Sequence, residues 1–448
     1  MEKKIHVPSF LIAVGLFCAL LFFPVVDEPQ AQKALALLVM VAVLWVTEAI
    51  PLPLTGLMIP VLAIYLQLTS PKDAFREFAN PVIFLFMGGF VLAGALSKHS
   101  LDKLLAQKLI KLSKGNFYWS SVLLMLATGL VSWWVSNTSS AAMMIPLGLG
   151  MLVLVDKQKS SPESKFLLLG IAYSANIGGI TTLIGSPPNA IGGAIMGISF
   201  SEWLLYGIPI FLLTFPVTVL VLTLYFKPDR KLRLGEMELK PILGAPLKTL
   251  GILFFIIVAL WMLEGVLAPL FSITDSFSSL VAVIAIFLVF ITGSLQWEEI
   301  IKSIQWEVLL LFGGGLTLGM IIDKSGLGSI MVGQVAGLLT VVPLLVFLWI
   351  IVLFSILLTE FMSNTASAAL ILPILYTMAN QMQINPMLLV FPATIAATYG
   401  FMMPVGTPPN AMVYSSGFVP QKDMMRAGLV LNILFSIVLT VMFYIVFR

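Results

Sequence analysis

Ser136-Asn137-Thr138-Ser139-Ser140-Ala141-Ala142-Met143-Met144-Ile145-Pro146 places a polar run inside an apolar segment, and Ser363-Asn364-Thr365-Ala366-Ser367-Ala368-Ala369-Leu370-Ile371-Leu372-Pro373 repeats it half a chain later. The surroundings give the run its meaning. Of 448 residues, 59% are hydrophobic and 10% charged, with a mean hydropathy of +1.06; soluble domains carry roughly 25% charge. Apolar runs of about twenty residues recur, the length that carries a helix across a bilayer, in place of the ten-residue alternating segments of a β-barrel. The chain therefore reads as an all-α polytopic membrane protein. Its one cysteine, Cys18, excludes an intramolecular disulfide. Val7 to Val26 is too long for a signal-peptide core and lacks a small-x-small site before Asp27, so it reads as a retained first span.

Hydropathy predicts eleven spans, near 8–26, 31–50, 53–69, 81–97, 166–184, 203–226, 249–268, 278–293, 306–322, 388–405 and 427–447. Segments 117–155 and 343–376 are too long for one span, and each is interrupted by its Ser-Asn-Thr. They read as two re-entrant helical hairpins with non-helical backbone at the tip. With the N-terminus cytoplasmic and the C-terminus outside, nineteen of the twenty-four lysines and arginines fall inside, Lys3, Lys4, Lys240 and Lys302 among them. Lys33, Lys72, Arg76, Lys324 and Arg448 fall outside. Residues 98–114 then form a basic surface helix with Leu101, Leu104, Leu105, Leu109 and Leu112 on its apolar side.

The two halves repeat. Leu85-Phe86-Met87-Gly88-Gly89 realigns with Leu311-Phe312-Gly313-Gly314-Gly315, Lys98 with Lys324, Ser136 with Ser363, and Gly185-Ser186-Pro187-Pro188-Asn189-Ala190 with Gly406-Thr407-Pro408-Pro409-Asn410-Ala411. Shifts of 226, 227 and 221 residues across these blocks indicate a duplication. Five spans and a hairpin per copy turn the second copy upside down, giving two inverted repeats whose hairpins enter from opposite faces. The glycine runs read as close helix packing, because no lysine or hydroxyl follows at phosphate-loop spacing.

Ser, Thr and Asn in membrane helices most often join helices, and Pro-Pro most often kinks one. Recurrence of both in register points instead to a transport site. A broken helix exposes amides that suit an anion and carbonyls that, with hydroxyl and amide oxygens, suit a small hard cation such as Na⁺. Two cation sites flanking one substrate site are expected. Ser132 and Thr359 each lie four residues before their tip and add a hydroxyl one turn below it. Glu48 reads as a structural or interfacial acid. Glu360, whose repeat counterpart is Trp133, has three readings: cation ligand, proton acceptor or structural pair. No lysine or arginine falls at depth, so an anion would be neutralised by helix dipoles and co-bound cations, linking the two. An intramembrane enzyme is disfavoured, since His6 and His99 lie outside the spans. A non-transporting assembly protein leaves the duplicated breaks unexplained.

The paired Ser-Asn-Thr tips, the paired Gly-[Ser/Thr]-Pro-Pro-Asn blocks and Trp45-Val46-Thr47-Glu48-Ala49-Ile50-Pro51 resemble the divalent anion sodium symporter family over almost the whole chain. The resemblance implies a homodimeric elevator carrying a small dicarboxylate (succinate, malate, fumarate or 2-oxoglutarate) with two or more Na⁺ across the plasma membrane. It implies scaffold parts at 1–115 and 227–342, and transport parts at 116–226 and 343–448. One cation site would take Ser132, Ser136, Asn137 and Gly185, and the other Thr359, Met362, Asn364 and Gly406. Substrate would lie between Ser136, Asn137, Thr138 and Ser363, Asn364, Thr365, with Ser186 and Thr407 closing the site. A sodium-independent exchanger and a sodium-coupled sulfate carrier are the alternatives.

Overall fold

A computed structural model describes residues 5–99, 101–234, 245–273, 276–339 and 342–447. Lys3, Lys4, Lys240 and Arg448, used for the orientation, lie outside the described residues. The first half runs α1 (Val7–Phe22), α2 (Pro29–Thr47), α3 (Leu52–Tyr65), α4 (Pro71–Arg76), α5 (Pro81–Lys98), α6 (Leu101–Lys111), α7 (Phe117–Ser132), α8 (Asn137–Leu154), α9 (Pro162–Gly179), α10 (Pro187–Met196) and α11 (Phe200–Phe226). The second runs α12 (Ala245–Met262), α13 (Glu264–Leu270), α14 (Phe277–Ile291), α15 (Trp297–Ser303), α16 (Trp306–Lys324), α17 (Leu327–Leu339), α18 (Leu344–Phe361), α19 (Asn364–Gln381), α20 (Pro386–Ala396), α21 (Pro408–Ser415) and α22 (Gln421–Phe447). Among the described residues seven helices are long and apolar enough to cross a bilayer, or eight if α12 and α13, bent by 77°, form one span. The eleven expected spans exceed this number for a physical reason. Several helices, such as α3 and α14, are shorter than 18 residues, and the tenth expected span is broken between α20 and α21.

Both interrupted segments are helix pairs, α7 with α8 and α18 with α19, that join at the Ser-Asn-Thr and pack against each other. In both, the serine is the N-cap: Ser136 Oγ accepts from Ser139 N–H and Ser363 Oγ from Ala366 N–H, at 3.3 Å each. The prolines of the Pro-Pro blocks start helices. Pro187 and Pro408 open α10 and α21, where the missing N–H costs nothing. The basic surface helix α6 buries Ala106 and Ile110, with Leu105 and Leu109 packed beside them. Leu112, expected on that face, is exposed, because α6 stops at Lys111 and Leu112 lies in the following turn.

Glycines set the helix crossings. A Cβ on Gly88 would strike Ala282 on α14, and one on Gly314 would meet the Gly56 backbone on α3 at 2.5–2.8 Å. These contacts are equivalent under the 226-residue shift, which relates Gly88 to Gly314 and Gly56 to Ala282. Ion pairs obey the same exchange. Lys98 pairs with Glu299 at 2.6 Å and Lys324 with Asp73 at 3.5 Å, so each lysine meets the acid of the other repeat. Reciprocal contacts of this kind are the signature of a two-fold relation between the halves. Gly314→Ala overpacks the α3–α16 crossing and should destabilise the detergent-solubilised protein by about 1–3 kcal/mol. Gly251→Ala, which meets nothing within 4 Å, should leave the thermal midpoint unchanged or raised.

Candidate substrate and cation sites

The two breaks are stapled alike. Asn189 Nδ2 donates to the carbonyls of Gly179 (2.8 Å) and Thr182 (2.7 Å), and Asn410 Nδ2 donates to those of Gly400 (2.8 Å) and Met403 (3.1 Å). A shift of 221 residues maps one set onto the other. Each asparagine thus holds open the loop that its own helix begins after, so the Pro-Pro-Asn triplet both ends one helix and fixes the next.

Four helix N-termini converge on one cavity of about 500 Å³: those of α8, α10, α19 and α21. Ser136, Asn137, Thr138, Ser186, Ser363, Asn364, Thr365 and Thr407, the eight residues expected around substrate, all line it. These termini are not chemically equivalent. At α8 and α19 the serine caps the third helical N–H, leaving the amides of Asn137, Thr138, Asn364 and Thr365 as the donors a helix start leaves over. At α10 and α21 the first two helical residues are prolines and offer none. The helix-start amides at the cavity therefore come from the hairpin tips. Among the described residues no lysine or arginine lines the cavity.

Of the residues expected to hold cations, Met362 and Gly406 reach the cavity wall, whereas Ser132 and Thr359 are fully buried behind it. Ser132 Oγ donates to Ala175 O at 2.7 Å and lies 3.0 Å from Asn137 Oδ1. Thr359 Oγ1 does the same in the second repeat, 2.8 Å from Ala397 O and 2.6 Å from Asn364 Oδ1. Around Asn137 Oδ1 the fit to a cation can be tested directly. This oxygen faces Ser132 Oγ, the Ala175 carbonyl at 3.2 Å and the Gly185 carbonyl at 3.3 Å. Turning the amide over would put a donor there. That donor would reach Ser132 Oγ, Ala175 O and Gly185 O together, whereas in the other orientation four oxygens share the single Ser132 proton, a donor set suited to a small hard cation. The Ala175 carbonyl was not foreseen, because a backbone oxygen leaves no mark in a sequence.

Asn176, fully buried on α9, was also missed. Its Nδ2 donates to Thr407 Oγ1 at 3.1 Å, and its Oδ1 accepts from Asn137 Nδ2 at 3.5 Å. It bridges the tip of one repeat to the break of the other. Its counterpart is Ala397, so a search for duplicated polar residues passes over it, although an asparagine in an apolar span is itself a signal. Gln305 and Glu48 line the cavity as well. Glu48, expected to be a structural or interfacial acid, ends α2 in a left-handed conformation (φ 46°) that turns the chain toward the site.

Ser186 and Thr407 differ as the sequence suggests. Thr407 Oγ1 accepts from Asn410 N–H at 3.3 Å, whereas the Ser186 side chain makes no capping bond. Glu360 does not line the cavity. Its carboxylate accepts from Met402 N–H (2.8 Å), Met403 N–H (2.8 Å) and Asn432 Nδ2 (2.6 Å). Of its three readings, the geometry gives it the structural role, with neutral partners in place of a cation. In the first repeat Trp133 replaces it, and the loop is held instead by the Thr182 hydroxyl, which donates to the Trp133 carbonyl.

Residues 42–394 match the family model described as citrate transporter. The chain belongs to that family. It is 41% identical to an uncharacterised transporter of Haemophilus influenzae, over 97% of this chain and 96% of that one. It is 35% identical to the sodium-dependent dicarboxylate transporter SdcS of Staphylococcus aureus, over 95% of this chain and 88% of that one. Among solved structures, the YdaH transporter of Alcanivorax borkumensis shares the fold with a TM-score of 0.62 at 15% identity, covering 98% of both chains. MtrF of Neisseria gonorrhoeae does so at 0.57 and 15%, covering 97% of both. The protein is thus a multi-pass membrane transporter of the citrate transporter family, and not an enzyme.

Glu360→Gln sets an amide N–H₂ against a backbone N–H and should cost about 1–3 kcal/mol. A lower thermal midpoint in detergent, with the Na⁺ dependence of any remaining uptake unchanged, is the expected result.

Proposed function

We propose that this protein is a secondary active transporter that moves a small dicarboxylate together with Na⁺. The observation that carries the reading is a cavity with hairpin-tip amides from both repeats and no cationic side chain, bordered by a cluster of buried oxygens. A dianion there has its charge met by helix dipoles, each worth about 0.3–1 kcal/mol at an exposed site and more when partly buried. Those dipoles alone leave two carboxylates under-compensated, and a cation beside the tip supplies the difference. Anion and Na⁺ then raise each other's affinity by the same factor. The sodium-dependent dicarboxylate transporter among the relatives supports this choice of ion and substrate.

In this reading Ser132, Ser136, Asn137 and the Gly185 carbonyl hold one Na⁺, and Thr359, Asn364 and the carbonyls of Met362 and Gly406 hold a second. Ser136, Asn137, Thr138 and Ser363, Asn364, Thr365 face the two carboxylates, with Ser186 and Thr407 at the sides. Residues 116–226 and 343–448 move as a transport part against a scaffold of 1–115 and 227–342 in a plasma-membrane homodimer, with the N-terminus cytoplasmic and the C-terminus outside. Cross-links within the moving part support that division: Tyr173 Oη donates to Phe401 O at 2.9 Å, and Lys165 pairs with Asp423 at 2.8 Å.

Succinate uptake into proteoliposomes should require an inward Na⁺ gradient. Gradient-independent uptake that needs internal dicarboxylate would instead mark an exchanger, and strong competition by sulfate an oxyanion carrier. Asn137→Ala and Asn364→Ala should each reduce uptake to background while leaving the thermal midpoint within a few degrees. Near-normal transport by both would remove the site assignment.

A further inference from the structure

A second cleft of about 500 Å³ adjoins the substrate cavity, sharing Ser136 and Gln305 with it. Its far wall carries Lys98, Glu299 and Lys302, from α5 and α15. Lys98 and Glu299 neutralise each other at 2.6 Å. The Gln296 N–H, followed by the Lys98 side chain, holds the Glu299 carboxyl below its usual range. Among these three wall residues Lys302, which is exposed, leaves one net positive charge beside a passage that adjoins the cavity.

The 226-residue shift maps this triplet onto another: Lys98 to Lys324, Glu299 to Asp73, and Lys302 to Arg76. Lys324 and Asp73 pair as their counterparts do, and Arg76 is again an exposed cation one helical turn after the acid. The two triplets differ in what lies beside them. In the second repeat α19 packs on α16, and a Cβ on Gly319 would lie 2.7 Å from Pro373. In the first, Ala93, the counterpart of Gly319, faces the open cleft. One triplet borders an open cleft, and beside its inverted copy the equivalent helix surface is packed.

We propose that Lys302 and Arg76 are equivalent anion-docking residues at two opposite mouths of the transport path, each beside a neutralised Lys–acid pair, and that each serves the mouth open at the time. The inference rests on the proposed transport of a dianion. A single cation at a wet mouth attracts a dianion by long-range Coulomb forces that salt screens, since the Debye length is about 8 Å at physiological ionic strength. Docking there should therefore act on apparent affinity and depend on salt, unlike the tip amides inside.

The test measures succinate transport at fixed Na⁺ in right-side-out and inside-out membrane vesicles, at low and high choline chloride. Lys302→Gln should raise KM roughly three- to five-fold at one face only and Arg76→Gln by a similar factor at the opposite face, in each case with a larger change in KM than in kcat. The increases should shrink at high salt, and Lys302→Arg and Arg76→Lys should restore wild-type KM. Wild-type transport with KM unmoved by either substitution, moved at both faces by one of them, or moved equally at high salt would overturn the inference alone. Absence of wild-type succinate transport would overturn the proposed function and this inference with it.

Discussion

Backbone polar groups at membrane depth have no water to turn to, and this requirement shapes the whole molecule. Breaking a helix inside the bilayer strands several carbonyls and amides. Asn189 and Asn410 answer the carbonyl side of the two breaks, each with one amide group and two acceptors. Prolines at the two preceding positions remove the amides that would otherwise compete. What remains unsatisfied is concentrated at the hairpin tips, where a ligand can use it. The site is therefore what is left of the broken helices after the asparagines and prolines have met the rest.

The duplication explains the pairing of these features, and departures from it show where the halves have been fitted to different jobs. The loop at 401–403 is held by a carboxylate and the loop at 181–185 by a hydroxyl. Asn176 reaches from one repeat into the other without a counterpart doing the same. These differences lie in the cavity wall, at Asn176, and in the layer just behind it.

Legibility followed the repeat. The tips, the Pro-Pro breaks and the glycine crossings were readable because each occurs twice in register, and the eight residues expected around substrate from the tips and breaks line a single cavity. Asn176 and Gln305 were not readable this way, since neither has a polar counterpart at its shifted position. Glu48 was read as a structural or interfacial acid, but its place on the cavity wall was not, because a left-handed residue at a helix end redirects the chain by an angle that hydropathy does not record. The end of the tenth span was misread for a related reason. Windowed hydropathy joins α20 to the loop beyond it, whereas the backbone there leaves the helix at Ala396.

The reciprocal ion pairs also bear on how the chain is made. Lys98 waits for Glu299, 201 residues further along, and the groove beside Gly88 waits for Ala282. At about 5–20 residues per second, synthesis leaves that interval open for roughly 10 to 40 s. During it the first half has been inserted with a bare glycine-lined face and a charge without its partner. The nascent protein must be kept from closing on a wrong neighbour until its own inverted copy arrives, so the symmetry that builds the site also makes each half an incomplete membrane protein.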